Sequence, residues 1–151
     1  MRKIGTALLL MAFFAVSAFA QVQMDEAKFE KWVKGIKVPS GYKYEDIETS
    51  EEEFTANFYK QCGQGMCAVT VKIDRPEKFE AYKNDKTIKD VKLTQYAGKK
   101  AMYYAYKSMN LSAVMVDVPE IKGKVTVAFS PAFTSAEMEK ALKGIGIEKL
   151  R

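Results

Sequence analysis

Two cysteines, Cys62 and Cys67, are the only thiols in the 151-residue chain, and Gly63, Gln64, Gly65 and Met66 stand between them. If those four residues form a hairpin loop, the cysteines face each other across two antiparallel strands. Opposed Cα atoms there lie about 4.5–5.5 Å apart, within reach of a disulfide. A redox motif would carry two intervening residues and a device that lowers a thiol pKa, such as a helix N-terminus or a basic neighbour. Neither is indicated, so Cys62 and Cys67 read as a structural disulfide. The chain contains no histidine, which removes the usual general base near neutral pH and the commonest zinc and copper ligand. Ser-His, Cys-His and His-metal chemistry are therefore excluded. No catalytic residue, metal ligand or cofactor site is assigned.

Three further constellations could act on a ligand. Glu45, Asp46, Glu48, Glu51, Glu52 and Glu53 concentrate acids without an intervening base, yet they lack the Asp-x-Asp-x-Asp-Gly spacing that wraps a loop around calcium. A solvated acidic turn is the economical reading. Lys83, Lys86, Lys89, Lys92, Lys99 and Lys100 gather basic charge, and lysines on an exposed strand edge discourage aggregation. Met102, Tyr104 and Tyr106 alternate with Ala101, Tyr103 and Ala105 along one strand, so the rings of Tyr103, Tyr104 and Tyr106 are divided between its two faces. A tyrosine offers apolar contact and a hydroxyl together. These three form the candidate partner-binding face. Carboxylate pairs such as Asp46 with Glu48, or Asp117 with Glu120, leave a glycosidase-like hydrolase as an alternative.

Compartment is read from the leader. Arg2 and Lys3 precede an apolar stretch over residues 4–16, and Ala18-Phe19-Ala20 supplies small residues where a signal peptidase cuts. The stretch is shorter than the roughly 20 residues of a membrane-spanning helix. The expectation is a signal peptide over residues 1–20, cleaved after Ala20, and one α+β domain over residues 21–151. Gln21 follows the cut, so the lipidated cysteine of a bacterial lipoprotein is absent. Cleavage removes two of the 24 basic side chains against 19 acidic ones, and mild basicity remains. The product is expected in the periplasm or outside the cell, where disulfides persist, and not as an integral membrane protein. No nucleic-acid partner is expected there, and an aromatic-lined basic groove is not evident.

The elements that must hold these residues are legible in part. Asp25 caps a helix whose Phe29, Trp32, Val33 and Ile36 share one side, and Gly35 and then Pro39-Ser40-Gly41 end it. Tyr42, Tyr44 and Asp46 alternate with Lys43, Glu45 and Ile47 in a first strand. Phe54, Ala56 and Phe58, then Cys67, Val69, Val71 and Ile73, mark a hairpin. Asp74-Arg75-Pro76 opens a short helix with Phe79 and either Tyr82 or Lys83 inward. Runs at 91–96, 100–107, 111–118 and 124–129 predict a meander. Thr134 and Glu137 form a capping box and Phe133 with Met138 a staple for the last helix, which Gly144 and Gly146 are expected to stop.

The fold class is therefore α+β, an antiparallel sheet of hairpin and meander packed against N-terminal and C-terminal helices. The functional expectation is an exported, non-enzymatic binding domain for an unknown protein or envelope component. A carrier of a small apolar ligand in a sheet-helix cavity and a carboxylate-based hydrolase are the alternatives.

Overall fold

Side chains of opposite parity along seven strands divide the protein into two unequal cores. The computed structural model describes residues 21–151, so the expected signal peptide lies outside the described residues. Helix α1 (Glu26–Val33) is followed by strands β1 (Lys43–Thr49), β2 (Phe54–Cys62), β3 (Gly65–Asp74), β4 (Ile88–Tyr96), β5 (Lys99–Tyr106), β6 (Ser112–Val118) and β7 (Gly123–Ser130). Helix α2 (Ser135–Ile145) comes last. The strands form one sheet in the order β1-β2-β3-β7-β6-β5-β4, with every neighbouring pair antiparallel. Two meanders, β1 to β3 and β4 to β7, thus meet where β3 pairs β7. The architecture is α+β.

Residues 75–87 carry the chain from β3 in the middle of the sheet to β4 at its far edge. A single 3-10 helix, Phe79–Asn84, occupies that crossover. Phe79 is buried in a small cluster with Ile88, Met102, Tyr104, Ala113 and Met115, and Tyr82 packs beside them. The opposite parity makes the main core, in which Phe54, Val71, Val114, Val127 and Phe129 join Phe29 and Val33 of α1 and Met138, Leu142 and Ile145 of α2. The Phe29 and Phe54 ring centroids are 5.5 Å apart. We call this side of the sheet the core face and the other the open face.

Both helices start where the sequence indicates. Asp25 Oδ1 accepts the Lys28 backbone N–H at 2.8 Å. In α2 the capping box is reciprocal: Glu137 N–H donates to Thr134 Oγ1 at 3.3 Å, and Thr134 N–H donates to Glu137 Oε2 at 2.7 Å. These bonds satisfy amides that have no partner within a first helical turn.

Three local expectations are corrected. The hairpin loop has two residues, Gly63 and Gln64, because Cys62 pairs with Gly65 and Cys67 stands opposite Lys60. Gly63 has φ 59° in the first turn position, a conformation glycine adopts without a side-chain clash and the one that keeps two-residue hairpins in register with strand twist. The cysteines are accordingly diagonal neighbours, with Cα atoms 5.8 Å apart and the disulfide formed. A bulge between Tyr44 and Asp46 breaks the alternation in β1. Tyr44, opposite Phe58, and Ile47, opposite Ala56, therefore share the core face although their numbers differ by three. Finally, Gly146, with φ 70°, is the left-handed residue that closes α2, whereas Gly144 lies inside the helix. Its role is close approach: a Cβ there would lie 2.0 Å from the Lys37 carbonyl oxygen.

Both sheet edges resist pairing. β1 has its bulge, and β4 has a second between Lys89 and Lys92, with Asp90 at φ 56°. Exposed lysines flank that second bulge, and kinks with charges are the usual protection of an edge strand. The disulfide closes so small a ring that its chain-entropy contribution is about 2 kcal/mol. Reduction of the native protein is expected to lower its unfolding free energy in urea by about that amount, with the far-ultraviolet circular dichroism unchanged. Collapse of the folded signal on reduction would show that the bond carries more than one turn.

Candidate functional site on the open face

The polar parities of β2, β3 and β7 converge on the open face. Thr55 and Asn57 of β2, Thr70, Lys72 and Asp74 of β3, and Lys124, Thr126 and Ala128 of β7 line a groove of about 570 Å³. Tyr82 of the crossover and Tyr104, Tyr106, Ala113 and Met115 of β5 and β6 form its other end, with the exposed Met109 at the rim. One end of the groove is hydrogen-bonding and charged, and the other is aromatic and apolar.

The polar end is tied together across strands. Asn57 Nδ2 donates to Asp46 Oδ1 at 3.0 Å, while its Oδ1 accepts the Thr70 hydroxyl at 3.0 Å. A fully connected chain of this kind fixes side-chain direction. Lys124 is the centre of the charged part: its ammonium lies 2.9 Å from Asp74 Oδ1 and 3.1 Å from Glu77 Oε2, and donates to the Arg75 carbonyl at 3.3 Å. Its side chain is only 6% exposed. Because Arg75 and Glu77 belong to the crossover, Lys124 fastens that segment to the sheet. Tyr82 donates its hydroxyl to Glu77, completing the attachment.

Lys72 lies 3.2 Å from Asp74 and 3.4 Å from Glu53. Burial alone lowers its pKa, but the two carboxylates outweigh this and hold it above the ordinary lysine value. Burial likewise pushes Glu77 upward, and the bonds from Tyr82 and Lys124 reverse the shift, leaving its carboxyl below the usual range. Lys72 and Glu77 are therefore both charged at neutral pH. Burial, followed by the proximity of Tyr106, raises the Tyr104 phenol, and burial with the Glu77 contact raises Tyr82. Both stay neutral phenols, able to donate.

The three tyrosines picked from the sequence are not brought together on one surface. Tyr103 points to the core face and is buried in the main core, whereas Tyr104 and Tyr106 belong to the open face. Tyr104 is itself only 5% exposed, stacked under Tyr82 with centroids 6.4 Å apart. Tyr106, half-buried and edge-on to Tyr104 at 5.6 Å, is the ring with accessible surface. Among the carboxylate pairs, Asp46 bonds Asn57 and Glu48 lines the groove, while Asp117 stands opposite Lys124 and Glu120 pairs with Lys99. The acidic run is held partly by Arg75 with Glu52 and by the Lys72 contact to Glu53. Among the described residues no group of three acidic or thiol side chains is placed to hold a metal.

Asn57, Thr70, Glu77, Tyr82 and Lys124 were not indicated as site residues by sequence. The available signal was parity: once β2, β3 and β7 are neighbours, their second, polar rows must share one surface. Among the described residues no helix is long and apolar enough to cross a membrane. No protein-family model matches the chain, and neither a curated protein nor a solved structure shows significant similarity to it.

Proposed function

We propose that the protein is a non-enzymatic binding domain that receives its ligand or partner in the open-face groove, with α1 and α2 serving as the scaffold that covers the core face. The observation that carries this reading is the asymmetry of the sheet. One face is filled by an apolar core, while the other leaves a concavity of about 570 Å³, within the usual size of small-ligand sites. Tyr106 and Met109 supply apolar contact at one end. Thr55, Thr70 and Thr126 supply hydroxyls along the floor. Such a surface suits a polar ligand with an apolar portion. The disulfide is compatible with an oxidising, exported setting.

A thermal-shift screen of soluble sugars, peptides and amines tests the reading. Compounds that raise the melting temperature of the native protein are expected to lose that effect in Thr70→Arg, which projects a long side chain across the floor, and in Tyr106→Ala. Hits that stabilise both variants as strongly as the native protein would remove the groove from consideration. An opening of about 420 Å³ where Val33 and Ile36 approach Tyr44, Ile47 and Phe58 supports the apolar-carrier alternative. Hits abolished by Ile47→Arg instead would favour it.

A further inference from the structure

A second concave surface, independent of the open face, has a more uniform chemistry. Between α1 and residues 147–151 runs a groove of about 370 Å³ whose charged side chains are all basic: Lys28, Lys31, Lys149 and Arg151. Its floor is apolar, made by the half-buried Met24 and Trp32 and backed by the buried Ile145. The indole is held in place, since Trp32 Nε1 donates to the Gly146 carbonyl at 3.2 Å. The three lysines are exposed, so their flexible stems can lift the ammonium groups away from the apolar floor.

Cations ringing an apolar surface that includes a tryptophan complement the boundary of a bilayer, where anionic headgroups overlie acyl chains and indole rings are enriched. A free inorganic anion would satisfy the lysines and leave the apolar floor uncovered. We infer that this groove is a docking surface for an anionic lipid bilayer. The lysines meet the headgroups and the floor meets the upper acyl region. The groove belongs to the helices, on the other side of the sheet from the open face. A protein seated this way keeps its binding groove turned away from the membrane. The lysines beside β4 are also basic, but the chain's single tryptophan is not among them.

Trp32 is the chain's single tryptophan, so fluorescence reports directly from the groove. The protein is mixed with vesicles of phosphatidylcholine alone, or of phosphatidylcholine and phosphatidylglycerol, and both sedimentation and emission are recorded. Anionic vesicles are expected to bind at least about tenfold more strongly than neutral ones, with a blue shift of Trp32 that high salt reverses. The triple variant Lys28→Gln, Lys31→Gln, Lys149→Gln is expected to lose at least about tenfold in binding with unchanged circular dichroism. Lys89→Gln, Lys92→Gln, Lys100→Gln is expected to bind as the native protein does. Equal binding to both vesicle types, full binding by the first triple variant, or loss only in the second would overturn the inference. Sedimentation without a change in Trp32 emission would do so as well. A blue shift with monomeric dodecyl sulfate but no vesicle binding would overturn the bilayer as occupant.

Discussion

Gly144→Ala lowers the stability of the protein by about 3 kcal/mol or more, an overpacking cost at the upper end of the usual range. Helix propensity predicts the reverse, since alanine inside a helix is favoured over glycine by about 1 kcal/mol. The structure decides between them. A Cβ at position 144 would stand 2.0 Å from the Lys37 carbonyl oxygen and 3.1 Å from its carbon, and backbone atoms cannot rotate aside as a side-chain tip can. The same approach lets Lys37 N–H donate to the Gly144 carbonyl at 2.8 Å, so α2 and the segment after α1 must separate and lose a hydrogen bond to admit a methyl group. At this chain length the loss corresponds to a fall of about 10 °C in melting temperature. Thermal unfolding followed by circular dichroism measures it. An unchanged or raised midpoint would mean that α2 does not approach residue 37 so closely.

Lys124→Met is expected to cost about 3 kcal/mol, the scale of removing one partner from a buried ion pair. Methionine preserves most of the stem volume, so lost packing is a minor part. What remains is Asp74 and Glu77 close together without the ammonium that sits 2.9 and 3.1 Å from them. Like charges so placed disfavour joint ionisation. Because Lys124 fastens residues 75–77 to the sheet, the damage is expected to begin there, with faster hydrogen exchange at Phe79 and Tyr82 than at β2 or β7. Adding Asp74→Asn to Lys124→Met should recover part of the loss, since one of the stranded charges is then gone. Equal exchange throughout, with stability unchanged, would show that the buried ammonium is not the fastening.

The elements were legible where local chemistry sets them. Asp25, Thr134 and Glu137 announce helix starts because capping is a contact over three residues, and the valine rows of β6 and β7 announce strands because one face of each is apolar. What escaped is set at long range. Nothing around Lys124 in sequence marks it as buried; the crossover from β3 to β4 covers it, and that path depends on strand order. The fate of the tyrosines is similar. Alternation alone separates Tyr103 from Tyr104 and Tyr106, yet both parities of β5 are apolar. Tyr104 is buried because Phe79 and Tyr82 arrive from another part of the chain. The bulge at Glu45 is another case: one extra residue in β1 reverses the facing of everything after it, and only pairing with β2 reveals it. Gly144 resembled a helix stop because helix termination and close backbone approach both favour glycine.

The most direct test of the open face as the working surface is a map of backbone amide shifts, recorded by nuclear magnetic resonance while a stabilising compound from the screen is titrated into the native protein. The shifts are expected at Asn57, Thr70, Tyr106 and Thr126, across strands that are distant in sequence but adjacent in the groove. Changes confined to Val33, Tyr42 and Ile47 at the helix-sheet margin, with the open-face amides unmoved, would contradict it.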